Sequence, residues 1–185
     1  MAPIRSIVWG TALASLGMAD LAAAQEPACL SEREVASLVT YALPVVMDGA
    51  MKACRPVLSP EGYFATQGSS LVQRYAAHKS AAWPEAKAAL IKLGGNDAKL
   101  KDVVSSLSDE ALQPFAEGMV SALVTKGIKP GQCKAIERAT RLLSPLPPEN
   151  TAELVTFMLV LADKPKVRGA VGATKKSDLP ICPAA

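Results

Sequence analysis

Apolar residues recur at steps of three and four along most of the chain, the spacing of one buried face of a helix. The longest such run follows Cys29, where Ser31 and Glu34 have the spacing of a capping box that begins a helix. This run predicts a helix from Ser31 to Ala53. Pro44 lies inside it, and because no Gly or Asn nearby offers a tight turn, we expect a kink there rather than a reversal.

Shorter segments with the same spacing follow, separated by Gly and Pro. Residues 55–68 are predicted to be mostly loop, and Trp83-Pro84 is expected to end one helix and begin the next, since proline suits a first helical turn. The further predicted helices cover residues 69–79, 84–93, 96–107, 109–126, 131–143 and a segment that begins near Asn150. Together these segments predict an all-α fold, a single-domain irregular bundle of about five to seven helices.

Two segments carry specific expectations about which side is buried. In residues 109–126, the apolar face is expected to turn inward; it comprises Leu112, Phe115, Met119 and Leu123. Residues 154–162, LVTFMLVLA, are apolar on every side. A helix with that composition is typical of the buried centre of a bundle, so this segment is predicted to be the central helix.

The first 24 residues match a cleaved secretory signal peptide. A basic start at Arg5 precedes an apolar run from Ile7 to Ala19, and an A-x-A cleavage pattern ends at Ala24. The apolar run is shorter than the roughly 20 residues that a membrane-spanning helix needs. We therefore expect cleavage after Ala24, no transmembrane span in the mature chain, and a periplasmic or secreted location.

The composition favours closely packed helices over a sheet. Half of the residues are apolar but only 4% are aromatic, so Ala, Leu and Val must fill the core. The net charge of +3 is mild and indicates no particular partner. Residues 25–163 are predicted to form the helical domain, and residues 164–185 an irregular tail that is tied back through Cys182.

The four cysteines predict two disulfides, since an even number in an exported chain is usually paired. Cys29 and Cys54 are not expected to bond to each other, because the helix between them would separate its ends by roughly 33 Å, against the about 7 Å that a disulfide allows between Cα atoms. Two schemes remain: Cys29–Cys182 with Cys54–Cys133, or Cys29–Cys133 with Cys54–Cys182. We favour the first, because an antiparallel later helix would begin beside Cys54.

No catalytic residue, metal ligand set or cofactor motif emerges from the sequence, and we expect no enzymatic activity. The only histidine, His78, has the setting of a surface or helix-end residue. The paired carboxylates all lie where helices are predicted to begin, which suits the helix dipole; they are Glu32/Glu34, Asp109/Glu110 and Glu149/Glu153. The basic residues of the tail have no aromatic neighbours, so nucleic-acid binding is not expected.

Two aromatic residues, Trp83 and Tyr75, are candidate contacts for a ligand or partner, although for Trp83 a core or hinge-packing role before Pro84 is the favoured interpretation. Our first hypothesis is a non-catalytic binding or interaction protein of the cell envelope. The alternative is a carrier of a small apolar ligand in a pocket between helices. An exposed apolar surface of several hundred Å² would favour the first hypothesis, and a large dry internal cavity the second.

Overall fold

Seven α-helices and two short 3₁₀ turns make up the described part of the chain. The computed structural model describes residues 29–94, 98–163 and 180–182, so the predicted signal peptide and most of the tail lie outside it. No strand occurs in these ranges, and the all-α prediction is confirmed. The helices are α1 (Glu32–Cys54), α2 (Tyr63–Ala76), α3 (Lys79–Leu93), α4 (Ala98–Ser106), α5 (Asp109–Gly127), α6 (Cys133–Leu143) and α7 (Pro148–Asp163), with 3₁₀ turns at Arg55–Val57 and Pro130–Gln132.

Helix α1 is the centre of the bundle and packs against α2, α3, α5 and α7. The predicted capping box is present: the Glu34 N–H donates to Ser31 Oγ at 3.3 Å, and the Ser31 N–H donates to the Glu34 carboxylate at 2.8 Å. The helix continues through Pro44 without a reversal. Among the described helices, α1 with its 3₁₀ extension is long and apolar enough to cross a membrane, a test that a central helix of a bundle also passes.

The chain passes along α1 in alternating directions. The α2–α3 pair runs antiparallel to it, because Phe64 packs beside Cys54 at the end of α1 and Lys92 forms an ion pair of 2.7 Å with Glu34 at its start. Helix α5 then returns parallel to α1: Leu112 packs with Tyr41, whereas Val124 lies against Gly49, two turns further on. The bundle therefore has four columns in an up-down-up-down order: α1, the α2–α3 pair, α5 and the α6–α7 pair.

The fourth column, the α6–α7 pair, has a break between its two helices. This break lies at the same level as the break between α2 and α3 in the second column. Three polar contacts join the two interruptions. The Arg74 guanidinium donates to the Ser144 carbonyl at 3.1 Å, and His78 Nδ1 lies 3.0 Å from a carboxylate oxygen of Glu149. A third bond, between Tyr75 and Thr151, is buried. These three contacts therefore join the α2–α3 pair to the α6–α7 pair at the level where each pair changes from one helix to the next.

Both disulfides follow the favoured scheme. Cys54 bonds to Cys133 with Cα atoms 5.4 Å apart, since α6 begins beside the end of α1. Cys29 bonds to Cys182 with Cα atoms 4.9 Å apart. Beside the second bond, the Leu30 N–H donates to the Pro180 carbonyl at 2.7 Å and the Cys182 N–H donates to the Leu30 carbonyl at 2.8 Å. Residues 180–182 are thus fixed to the start of α1, as predicted.

Several predicted helix boundaries were wrong, and packing explains two of them. Pro84 lies inside α3 and does not begin a helix, because Trp83 is buried against Tyr41 in the main core and that burial offsets the cost of proline in a helix. Helix α2 begins at Tyr63 rather than residue 69, because Phe64 packs with the Cys54–Cys133 disulfide. Other predicted boundaries were close: α7 begins at Pro148, two residues before Asn150, and α5 is one helix that continues through Pro114.

The expectations about buried faces were wrong for α5 and α7. Of the four α5 residues expected inside, Leu112 is buried, but Phe115, Met119 and Leu123 are 50%, 52% and 69% exposed. Helix α7 is peripheral rather than central, and its outward residues are Leu154, Phe157, Met158 and Leu161. The fully buried residues of α7 are small or polar, namely Thr151, Ala152 and Thr156, and allow close approach to α1 and α2. Leu159 adds a partly buried apolar contact with Leu30 and Val35.

Candidate functional site

Both aromatic residues singled out in the sequence lie in the core. Trp83 is 5% exposed and its ring centre lies 4.8 Å from that of Tyr41. Its indole N–H is buried without a hydrogen-bond partner among the described residues, but it lies near Asp109, whose carboxyl pKa is lowered by Lys87 and, second, by this indole. Tyr75 is 2% exposed and donates to Thr151 Oγ1 at 2.8 Å. Neither side chain presents a surface to a partner.

A polar cluster joins α1, α3 and α5 behind these aromatics. The Tyr41 hydroxyl donates to the Glu117 carboxylate at 3.0 Å, and the same oxygen forms an ion pair with Lys79. The Lys79 ammonium lies 5.0 Å from the centre of the Tyr41 ring. Burial raises the pKa of Tyr41, and the hydrogen bond to Glu117 and its charge raise it further. The three groups satisfy one another, so their evident role is to join the helices.

The other residues considered for chemistry lie apart from one another. His78 stands at the junction of α2 and α3, beside Glu149. The carboxylates of Glu32, Asp109 and Glu110 lie in first helical turns, as the sequence indicated. Across residues 29–94, 98–163 and 180–182, no three His, Cys, Asp or Glu side chains meet as metal ligands would.

Two cavities adjoin on one side of α1. The first, of about 480 Å³, lies between α1 and α2, and the second, of about 350 Å³, reaches toward α5. Asp48 and Lys52 line both cavities and form an i,i+4 ion pair of 2.6 Å at their boundary. Both cavities are open and have charged residues in their walls, so neither is the dry internal cavity that a fully apolar ligand would favour.

Two outward helix faces are apolar in the pattern usually reserved for a core. The α5 face consists of Phe115, Met119 and Leu123, at positions i, i+4 and i+8. The α7 face consists of Leu154, Phe157, Met158 and Leu161, at positions i, i+3, i+4 and i+7. Between residues 111 and 125 the only charged side chain is Glu117, and it turns inward to Tyr41 and Lys79.

Sequence reasoning missed these faces because it assumed that the larger apolar side chains turn inward. The sequence did contain a signal for these faces, in the residues on the opposite side of each helix. In α7, the buried positions Thr151 and Thr156 carry hydroxyls that bond locally, to the carbonyls of Pro147 and Ala152. In α5, the side facing α1 includes Glu117 and Val124. Small or polar residues at helical spacing opposite a large apolar stripe indicate a helix that is apolar outward.

Comparison of the chain with protein-family models, with curated proteins and with solved structures finds no match. The two cavities and the two apolar faces are therefore interpreted from their own geometry.

Proposed function

We propose that this chain is an exported, non-catalytic interaction protein of the cell envelope, and that the α5 and α7 faces are its docking surfaces. The observation that carries the proposal is the exposure of seven large apolar side chains at helical spacing, each at least 39% accessible to solvent. Single exposed apolar residues are common on soluble proteins, but helical stripes of them are typical of surfaces that a partner covers.

The chemistry of the α5 face favours an apolar partner. Because no charge points outward between residues 111 and 125, a charged partner group placed there would lose its water without gaining a counter-charge. An apolar helix or groove of another envelope protein fits instead, since helix-in-groove recognition uses anchors at i, i+3, i+4 and i+7. The spacing of Leu154, Phe157, Met158 and Leu161 matches these anchors.

Two further observations support export. Both disulfides join segments distant in sequence, and such bonds persist in oxidising compartments. The N-terminal sequence has the apolar run and the A-x-A pattern of a cleaved leader. Intact mass of the protein from its native host tests this: we expect a chain that begins at Gln25, and a mature protein that still contains Trp9 would contradict export by this route.

The docking proposal is tested by placing a photo-crosslinking amino acid at Met119 or Phe157 and irradiating living cells. The matched control carries it at Lys134, an exposed position on the charged side of α6. We expect a discrete crosslinked envelope protein from the first two positions and none from the third. The crosslinked protein, once purified, should bind the native chain directly and bind the Met119→Glu variant on the order of tenfold more weakly.

Three results would contradict this assignment. A crosslinked product of twice the chain mass would identify a second copy of this protein as the occupant. Adducts confined to phospholipid would identify a lipid surface. Equal crosslinking from Met119, Phe157 and Lys134 would show that the two faces have no special affinity for any partner.

A further inference from the structure

The cavity between α1 and α2 has the composition of a small-molecule site that the docking faces do not use. We propose that it binds a small organic anion with an apolar body, such as an alkyl or aryl carboxylate. Its volume of about 480 Å³ lies in the range of pockets that hold such ligands. The inference is independent of the proposed function, since it involves none of the residues of the α5 and α7 faces.

The apolar part of the cavity is preformed. Phe64 is buried in a cluster with Cys54 and Cys133, and Met51 and Leu58 pack against the same cluster. The Phe64 N–H also donates to the Glu137 carboxylate at 3.0 Å, which ties the start of α2 to α6. Because a disulfide and a hydrogen bond hold this wall, a ligand would not have to order it, and preorganisation of this kind increases affinity.

The polar part of the lining carries excess positive charge. Its ionised residues are Asp48, Lys52 and Arg55, one negative and two positive. Lys52 is paired with Asp48, whereas the Arg55 side chain is exposed and makes no salt bridge or hydrogen bond to any described residue. A guanidinium offers parallel N–H donors that match the two oxygens of a carboxylate.

Two hydroxyl groups complete the polar lining. Ser59 Oγ accepts a bond from the Glu61 N–H at 3.2 Å, which leaves its own O–H free to donate to a ligand. Ser69 lines the opposite wall, from α2. Donors on both walls above an apolar floor fit an amphipathic anion better than a fully apolar molecule, which would leave these groups without partners.

The position of Lys52 and Arg55 at the end of α1 offers a simpler explanation for their charge, since cations stabilise the C-terminal end of a helix. That explanation accounts for neither the concave shape nor the apolar floor beneath the cations. It also makes a different prediction: cations that serve the helix alone would give the cavity no preference among ligands of different charge.

The test compares three probes with the same apolar chain: octanoate, 1-octanol and octylammonium. Binding to the oxidised protein is followed by NMR shifts of backbone amides. We expect octanoate to bind on the order of tenfold more tightly than the other two, with the largest shifts between residues 51 and 69. Arg55→Gln should reduce octanoate affinity to that of octanol, whereas Arg138→Gln, which removes an exposed cation of α6, should leave it unchanged.

A second variant fills the cavity without removing any contact of the fold. Ala65 lines the cavity and is exposed, so Ala65→Phe should abolish binding of all three probes in a folded protein. Equal affinity for the three probes would overturn the proposal. So would octanoate binding that survives Ala65→Phe, or shifts concentrated on the α5 and α7 faces, because each places the probe elsewhere or removes the role of charge.

Discussion

At the scale of single residues, two glycines differ in whether the structure has room for a larger side chain. A Cβ at Gly118 would meet nothing within 4 Å, whereas a Cβ at Gly68 would collide with Met51 Sδ. Gly68 is buried against α1, so its small size lets α2 approach closely. Gly118 is exposed at the edge of the second cavity, where no described residue lies close enough to need its small size.

The two glycines therefore predict opposite effects of the same substitution. Gly118→Ala should raise the free energy of unfolding by about 0.5–1 kcal/mol, because alanine loses less backbone entropy in a helix. Gly68→Ala should lower it by about 1 kcal/mol, because overpacking costs about 1–3 kcal/mol and exceeds the propensity gain. Urea unfolding of both variants measures the difference, and a stabilised Gly68→Ala protein would show that Met51 moves aside at little cost.

Tyr41 makes the free energy of unfolding depend on pH in the alkaline range. Its pKa is raised above the ordinary value of about 10 by burial and then by Glu117, so the folded chain holds the phenolic proton more tightly than the unfolded chain. This contribution is complete below about pH 10 and is lost as pH rises further. Unfolding free energies between about pH 8 and pH 11 should fall less steeply for Tyr41→Phe than for Tyr63→Phe. Equal slopes for the two variants would contradict this role for Tyr41.

At the scale of elements, the decisive contacts are those between the two interrupted columns. The Tyr75–Thr151 hydrogen bond is buried, and the Thr151 hydroxyl also donates to the Pro147 carbonyl at 3.3 Å. Removing one partner leaves the other buried without its bond, which costs more than removing both.

A double-mutant cycle tests this coupling between α2 and α7. Thr151→Val should destabilise by about 1–3 kcal/mol because it leaves the Tyr75 hydroxyl unpaired. Tyr75→Phe should cost about 1 kcal/mol, since Thr151 keeps its carbonyl partner. The double variant should be more stable than the sum of the two losses predicts. Additive losses in thermal unfolding would mean that the two hydroxyls do not depend on each other.

At the scale of the whole molecule, the two disulfides close loops of very different length, with sequence separations of 153 and 79 residues. By loop-closure entropy, the disulfide that closes the longer loop should stabilise the fold more, but only by about 0.6 kcal/mol for a doubling of length. Burial has a larger effect in the opposite direction. Cys54 and Cys133, which close the shorter loop, are 0% and 1% exposed and belong to a core cluster.

We therefore expect loss of the Cys54–Cys133 disulfide to lower the free energy of unfolding more than loss of the Cys29–Cys182 disulfide. Replacing Cys54 and Cys133 together by serine places two unpaired hydroxyls in the core, each costing about 1–3 kcal/mol beyond the lost crosslink. Replacing Cys29 and Cys182 together by serine loses chiefly the crosslink, since both are only partly buried. Urea unfolding should rank the first double variant below the second; the reverse order would mean that loop entropy outweighs burial.

The sequence alone determined what depends on local spacing and chain geometry. The helix that begins at Ser31 follows from a capping box and a regular apolar period, which act within a few residues. The pairing of Cys54 with Cys133 was favoured because a helix of known rise keeps Cys29 and Cys54 apart and an antiparallel return places the start of a later helix beside Cys54. These arguments need no knowledge of which sides of the helices meet.

Tertiary structure decided which apolar side of each helix is buried. Apolar residues occur on several sides of α5 and α7, so periodicity could not identify their inner faces. Contact with α1 buried sides that mix small, polar and apolar residues, such as Leu112 and Thr156, and left Phe115 and Phe157 outside. Packing likewise kept Pro84 within a helix and extended α2 back to Tyr63. The candidate sites are therefore invisible in the sequence, because exposure and concavity depend on distant residues meeting α1 at the same time.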